Sequence, residues 1–591
     1  MKKNIYIIVL FLFLISCESR EKYNDGYISY KEEVLSESQK ERVAANLMSL
    51  HERYDPKEQM LTQKLTGWNY HTDADSGIYH DVRASLYYAI DLLRLNKEEY
   101  TQRAFDIVKK VISLQDTITS SPSCGVWPYF MEEPLATKKS PIDYNWADFN
   151  AVSLLEIVLK YGKRIPVDLM PEIKNAIILA ARAIEKRNMG PYYTNIAIMG
   201  TYVTYMAAHL ENLPDLKKYA EDRLNCFYQY TLDKGGFSEY NSPTYTMVAL
   251  DELNKMKLHI VEPEAKQKID SLYAIGWDII ARHYHVPTGQ WVGPHSRSYS
   301  TLIGCSFYDY IKQASDGTIR LMSGLSDDKP IVAHQIPTYL YPYFMAPVYP
   351  RTEVDVFENE DPKIIGVSYL TDTYAISSVN RSCMWNQRRP LSAYWGTIEK
   401  PCYLQVRMLH EFFDFSAGTI YTAQKENSVL AAMNFSTNGG DKHVSIDPLK
   451  DGKFHAKDLR LRFELGNCCN IDEIELPIKD KESFSFKIGG VQLAIQLYKF
   501  SFGGMKGYWE KGKDDKNSWV DYVLYAGSGK DFDLQSMNDA SLGFSVSIGL
   551  PDEKLRSEPV VVSQQGNQMD ANWKGLSVSI SVKPTTNAKN I

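Results

Sequence analysis

The sequence predicts an α+β protein in two parts, an N-terminal (α/α) toroid of helical hairpins followed by a C-terminal antiparallel β-sandwich. Two observations predict it. From about residue 30 to residue 325 the apolar residues recur with helical period, and after about residue 350 they alternate. No repeat of fixed length runs through the helical half, which disfavours a solenoid array. The 591 residues, 44% hydrophobic and 24% charged, have ordinary globular proportions that exclude a disordered or fibrous chain.

The elements follow in order. Lys2 and Lys3 precede an apolar run, Ile5 to Ile15. The run reads as a secretory signal, because a bilayer span needs about 20 apolar residues. It ends Leu14-Ile15-Ser16-Cys17, which resembles a bacterial lipobox. Residues 1–17 are therefore expected to be a lipoprotein signal with a lipidated Cys17, placing the protein on the periplasmic face or cell surface of an outer membrane. Residues 30–325 form the helical domain, where Leu169, Ile173, Ile177 and Ile184 mark one apolar face and Leu216, Ala220, Leu224 and Phe227 another. About ten such segments are separated by short punctuation such as Arg187-Asn188-Met189-Gly190-Pro191. Residues 326–350, rich in Pro and Tyr, read as a linker. Within 351–591 the alternation is plain at Leu459, Leu461, Phe463 and Leu465, at Phe484, Phe486 and Ile488, at Phe544, Val546 and Ile548, and at Leu576, Val578, Ile580 and Val582.

Charge and composition narrow the partner. With 66 Lys plus Arg against 73 Asp plus Glu, a net charge of -7 leaves no electrostatic footprint for a nucleic acid. The chain holds 40 Tyr and 10 Trp against 22 Phe, and rings with a polar tip suit large polar ligands such as sugars. Beyond Cys17, Cys124, Cys226, Cys305, Cys383, Cys402, Cys468 and Cys469 are scattered without a CxxC repeat. They read as buried thiols rather than as a disulfide framework or a zinc site, with a single bridge unreadable from spacing. His283 and His285 have a strand-type ligand spacing, but they end a helix, where histidine is favoured for its charge alone. No metal and no cofactor is expected.

Three stretches carry candidate chemistry. In Gly235-Gly236-Phe237-Ser238-Glu239-Tyr240-Asn241-Ser242-Pro243-Thr244-Tyr245, Ser242 and Pro243 read as a helix start. Tyr245 then falls in the first turn, where the helix dipole is expected to ease ionisation of its hydroxyl. The same residues also read as a glycine turn and a capped structural helix. In Tyr192-Tyr193-Thr194-Asn195-Ile196, Asn195 opens an apolar helix. The loop Trp291-Val292-Gly293-Pro294-His295-Ser296-Arg297-Ser298-Tyr299 is dense in titratable groups. Trp127-Pro128-Tyr129 and Asp143-Tyr144-Asn145-Trp146-Ala147-Asp148 are aromatic clusters suited to sugar rings or to packing, and Arg388, Arg389 and His410 are candidates to reach a cleft between the domains.

The order of elements, with Asn195 at a helix start, the Gly235-Gly236 turn and the segment from Glu239 to Tyr245, resembles the polysaccharide lyases built from an α/α toroid and a β-sandwich, the heparinase, alginate and chondroitin lyase type. Among them it looks most like polysaccharide lyase family 27, a resemblance that implies cleavage of rhamnose from glucuronate at the ends of arabinogalactan chains. Related lyases often place a His directly after the Asn, where this chain has Ile196, and a His or Gln where it has Tyr240. A histidine partner is therefore sought elsewhere, in His295 first and His410 second. The resemblance implies β-elimination from a uronate. Tyr245 and His295 act as base and acid, Asn195 and Arg297 neutralise the carboxylate, and Tyr240, Asn241, Trp127, Trp146, Trp291 and His410 position the sugar. Two rival readings remain: a glycoside hydrolase using Glu239 and Asp148 as paired carboxylates, and a non-catalytic, lipid-anchored glycan-binding protein.

Overall fold

The computed structural model describes residues 28, 30, 33–67, 69, 71–325, 330–441, 443, 446, 449–468, 471–477, 483–555 and 558–586; the leader and Cys17 lie outside the described residues. Among the described residues eleven α-helices precede the large sheets: α1 (Glu37–His51), α2 (Val82–Leu95), α3 (Glu98–Ser113), α4 (Asn145–Tyr161), α5 (Leu169–Arg187), α6 (Thr194–Leu210), α7 (Pro214–Lys234), α8 (Tyr245–His259), α9 (Pro263–His283), α10 (Cys305–Ala314) and α11 (Tyr341–Met345).

Consecutive helices pair as hairpins, α2 with α3, α4 with α5, α6 with α7 and α8 with α9. The first members of the hairpins, α2, α4, α6 and α8, pack side by side as an inner layer, while α3 contacts α5 and α7 contacts α9 outside it. Residue distribution decides which layer a helix joins. All 17 residues of α6 are buried, and it carries no Asp, Glu, Lys or Arg. A helix apolar all round is stable only inside. In α7 the buried residues Leu216, Ala220, Arg223, Leu224, Phe227 and Thr231 recur every three or four positions, and the rest of the helix meets solvent. Gly200 lets α6 approach α4, because a Cβ there would lie 2.9 Å from Asp148 Oδ1. α7 ends at Gly235, whose φ of +76° closes the helix in a left-handed conformation that side chains resist.

Alternation of direction places the N-termini of α4, α6 and α8 at one end of the domain with the C-termini of α5 and α7. The contacts agree: Arg187 at the end of α5 donates to Oδ1 of Asn145, the first residue of α4, at 2.7 Å.

The second part is a pair of facing antiparallel sheets. A nine-stranded sheet runs in spatial order from Tyr508–Lys513 through Asn517–Asp533, Lys453–Gly466, Pro401–His410, Leu391–Gly396, Tyr374–Val379 and Ile364–Leu370 to Arg351–Glu358, with Phe413–Asp414 beside Pro401–His410. The six-stranded sheet opposite orders Ser483–Ile488, Val491–Phe502, Ala540–Gly549, Ser428–Phe435, Gly418–Lys425 and Arg381–Cys383. Leu459, Leu461, Phe463 and Leu465 of one sheet meet Phe544, Val546 and Ile548 of the other in a single core. A three-stranded meander, from Val561 to Ser581, covers the outer face of the six-stranded sheet against Leu430, Ala432 and Tyr498. The strand Ser428–Phe435 is therefore buried on both faces.

The two parts dock at the end that carries the helix N-termini. Edge strand Arg351–Glu358 takes ion pairs from the last turns of α7 and α9: Lys234 with Glu358, and Arg282 with Glu353 at 3.2 Å and Asp355 at 2.5 Å. The loop after α9 joins the sandwich through its backbone. His295 N donates to Arg389 O at 3.2 Å, Arg389 N returns to His295 O at 2.9 Å, and Ser298 N donates to Gln387 O at 2.7 Å. Within 326–350, the segment read as a linker, Ile336, Leu340 and Phe344 are buried in the helical core.

Candidate active site

Arg297 is the hub of the docked end. Its guanidinium donates from Nη1 to Glu239 Oε1 at 3.1 Å, from Nη2 to the Tyr245 hydroxyl at 3.0 Å and from Nε to Gln387 Oε1 at 2.7 Å. It lies over the rings of Tyr245 (4.6 Å) and Trp385 (4.8 Å). The Tyr245 hydroxyl also shares a 2.8 Å hydrogen bond with the hydroxyl of Tyr299, a side chain that is 62% exposed. One fixed cation thus joins a carboxyl and a phenol of the helical domain to an amide of the sandwich, and a second phenol opens the group to solvent.

Local folding sets these positions. α8 begins at Tyr245, two residues after Pro243, and Ser242 Oγ accepts from the Tyr245 N–H at 3.0 Å. The short turn before it holds Glu239 under the Arg297 loop. Burial pushes the Glu239 carboxyl up to about 7 against the pull of Arg297, and its Oε2 is buried without a partner. For Tyr245 the expected easing of ionisation is reversed. Burial first, then the hydrogen bond with Tyr299, carries its hydroxyl well above the ordinary tyrosine value, and the nearby Arg297 offsets only part of this. Tyr245 is a neutral phenol at physiological pH.

Asn195 is the second residue of α6, on the inner helix packed against α8 and at the same end as Tyr245. It is 94% buried, and its Oδ1 has no hydrogen-bond partner. Beside it Tyr193 receives a contact from Asn145 Nδ2 at 3.5 Å. Burial raises the Tyr193 hydroxyl, and the charges of Asp143 and Glu239 raise it further, which ties the start of α4 to the Glu239 turn. Asp143 Oδ1 accepts from the Asn145 N–H at the start of α4 (3.0 Å) and Ser242 Oγ from the Tyr245 N–H at the start of α8, whereas α6 has no side-chain cap hydrogen bond and keeps its positive end open. A cavity of about 910 Å³, lined by His71, Asp73, Glu133, Lys138 and Asp143 among others, lies along the loops that precede α4.

Of the sequence-predicted residues, Tyr245, Arg297 and Asn195 come to this end; several others do not present chemistry to it. His295 is 98% buried, with Nδ1 2.6 Å from Asn241 O and Nε2 3.1 Å from Trp291 O. Burial pushes its ring down to about 3 while the two facing carbonyls pull it up, and a ring enclosed this way is structural. Asn241 is consumed by Val292 O (2.9 Å), Pro294 O (3.0 Å) and the indole of Trp291 (2.5 Å). Trp291 and Trp127 are core residues, the latter donating to Val111 O at 2.9 Å. Tyr240 stacks flat on Phe357, with ring centroids 4.0 Å apart. Trp146 packs among His71, Tyr129 and Phe149. His410 lies against Phe415 and Phe454 in the sandwich, its Nε2 2.8 Å from His455 O. Arg388 pairs with Asp441 at 2.6 Å.

Glu239 in its role beside Arg297, together with Tyr299, Gln387 and Trp385, completes the group. Tyr299 stands two residues from Arg297, so the density of that loop was a signal for it. Gln387 and Trp385 reach the site from 90 and 88 positions downstream of Arg297, and no local pattern marks them. Among the described residues no group of three or more His, Cys, Asp or Glu side chains is arranged to hold a metal ion. His283 turns to Asp355 at 3.1 Å, and His285 to Thr288 and Thr371 O.

A family model described as a domain of unknown function (DUF8769) matches residues 44–308, the stretch from α1 to α10 that includes Asn195, Glu239, Tyr245 and Arg297. A search of curated proteins returns no match. Solved structures similar to this chain include the Streptomyces coelicolor A3 chondroitin AC lyase in complex with chondroitin sulphate. It is 10% identical with a TM-score of 0.45, covering 92% of this chain and 85% of that one. A second is a chondroitinase AC lyase, 8% identical with a TM-score of 0.39, covering 91% and 85%. A third is the heparan sulfate lyase HepC from Pedobacter heparinus, 10% identical with a TM-score of 0.33, covering 86% and 83%. Scores this low carry no residue correspondence, so the function rests on the site.

Proposed function

We propose that the protein is a polysaccharide lyase that cleaves uronate-containing glycans by β-elimination. The observation that carries this reading is one arginine fork holding a buried carboxyl and a neutral phenol, with a second phenol hydrogen-bonded to the first and open to solvent. Elimination needs three things: a cationic or donor-rich seat for the uronate carboxylate, a group to take the C5 proton and a group to protonate the departing oxygen. The unpaired N–H groups at the start of α6, the amide of Asn195 and the guanidinium of Arg297 supply the seat. Its charge-assisted hydrogen bonds strengthen as the enolate-like intermediate forms.

Because Tyr245 is neutral, the proton moves through the phenol pair. Tyr299 oxygen accepts the C5 proton and passes its own proton to Tyr245, which delivers its proton to the leaving glycosidic oxygen. The C5–H and C4–O bonds break, the C4–C5 double bond forms, no water is added, and both phenols end as they began. Arg297 stabilises the negative charge that develops on Tyr245 oxygen during the transfer.

The hydrolase alternative loses its carboxylate pair. Asp148 is 99% buried, wedged against Gly200 and Arg223, and burial pushes it up to about 7 against the pull of Arg223 and Arg187. That is a carboxyl sealed in the core, not an acid facing a cleft. The narrower substrate we propose is the rhamnose–glucuronate linkage of arabinogalactan side chains. We also propose an exported lipoprotein anchored through Cys17, which fatty-acid labelling of wild type against Cys17→Ala would test. The functional test is incubation of the chain with a panel of uronate glycans. Products that carry an unsaturated uronate support the lyase. Saturated products support hydrolysis, and binding without turnover supports the glycan-binding reading.

A further inference from the structure

Two thiols in the sandwich have no part in the site above. Cys402 is the second residue of the strand Pro401–His410, and Cys468 stands two residues past the end of Lys453–Gly466. These strands pair antiparallel with Tyr403 opposite Gly466 and Leu404 opposite Leu465. Continuing that register by one step sets Asn467 across from Cys402 and brings Cys468 alongside. Asn467 has a φ of +55°, so the chain turns there and leaves the ladder as it enters Cys468. Cys402 Sγ lies 3.5 Å from Asn467 O, the carbonyl of the peptide that leads into Cys468, and Cys468 Sγ lies 3.2 Å from Gly466 O, so both sulfurs border one short stretch of backbone, and the neighbouring Cys468 thiol lowers the Cys402 thiol. They are 5% and 9% exposed, under the glycine turn at Gly489, where an added Cβ would come 3.6 Å from Cys402 Sγ. No other described cysteine is placed this way: Cys226 and Cys305 are exposed, Cys124 is half-buried in the helical part, and Cys383 is buried apart from them.

We propose that Cys402 and Cys468 form an intramolecular disulfide that ties the central strands of the nine-stranded sheet where their ladder ends. The chemistry is thiol–disulfide exchange. The Cys402 thiolate attacks an external disulfide, releasing one thiol. The Cys468 thiolate then attacks the mixed disulfide, releasing the second, so two protons and two electrons pass from the protein to the oxidant. The bridge closes a long loop, and its effect is largest on the unfolded chain, which it keeps compact.

The experiment uses the full chain, refolded with oxidised glutathione, then alkylated without reductant, digested and mapped by mass spectrometry. The expected result is loss of alkylation at Cys402 and Cys468 together, a linked peptide two hydrogens lighter than the sum of its parts, and a thermal midpoint that falls by several degrees on reduction. Cys469→Ser should leave the linked peptide and the shift intact, whereas Cys402→Ser should abolish both. A bridge from Cys402 to Cys469 that Cys469→Ser removes, or two alkylated thiols after oxidation, would overturn the assignment. Should Cys402→Ser fail to fold, the linked-peptide map of the wild type still decides.

Discussion

Replacing Arg297 by lysine separates charge from geometry at the hub. Lysine keeps the cation but has one nitrogen where arginine has a planar fork. It can hold one of the three acceptors now served at 2.7, 3.0 and 3.1 Å, on Gln387, Tyr245 and Glu239. Two hydrogen bonds involving a charged donor are lost, each worth about 1.5–3 kcal/mol. The loss that matters for rate is the bond to Tyr245 oxygen, which strengthens only as that oxygen gains charge. Removing such a donor typically costs about 2.7–4 kcal/mol, a fall of about 10²–10³ in kcat. Folding should suffer less. Glu239 keeps a cation beside it, and the loop stays pinned by the backbone bonds of His295 with Arg389 and of Ser298 with Gln387. The assay is the initial rate of unsaturated product formation, with a thermal melt of the same sample. A variant that keeps more than about one third of wild-type kcat at an unchanged melting point would refute the role of the fork, since the expected loss is at least about 10²-fold.

The other predictions follow from single contacts. Tyr245→Phe and Tyr299→Phe should each lower kcat by about 10²–10⁴ with little change in KM, because each removes one step of the same relay; a fully active Tyr299→Phe enzyme would leave Tyr245 without its partner. Asp148 has a folded value raised from 3.8 to about 7, so the folded protein holds that proton more tightly and loses stability as pH rises from about 4 to about 7. Asp148→Asn should remove about 1.4 kcal/mol per pH unit from the slope of stability in that window, read by chemical denaturation across it. Asn241→Ala strands an indole N–H and two carbonyls that are now satisfied at 2.5–3.0 Å, and should destabilise by about 3 kcal/mol or more by denaturant melt.

The fold was legible because burial writes its period into the chain. The alternation at Leu459–Leu465 is the inward face of a strand, and Leu216, Ala220, Leu224 and Phe227 are the inward face of α7. Ser428–Phe435 shows no alternation because both its faces are covered. The site was legible only where it is local. Tyr245 sits at a helix start announced by Ser242 and Pro243, and Asn195 opens a helix with no charge to hide it. The loop from Trp291 to Tyr299 holds Arg297 and Tyr299, which reach the candidate site, beside residues that packing uses up. Polar and aromatic residues crowd there because they satisfy one another: Asn241 binds the indole of Trp291, and His295 fills the carbonyls between them. Hydrogen-bond donors that lock a loop look the same in sequence as donors aimed at a ligand. The partners of Arg297 escape for a different reason. Gln387 and Trp385 reach it only through the docking of two domains, and that docking leaves no mark on spacing.

The central claim, that the phenol pair and Arg297 carry elimination rather than hydrolysis, is tested most directly by product mass in oxygen-18 water. The account predicts an unsaturated uronate absorbing in the near ultraviolet, with a summed product mass equal to that of the substrate and no heavy oxygen incorporated. A saturated product carrying one heavy oxygen would contradict it.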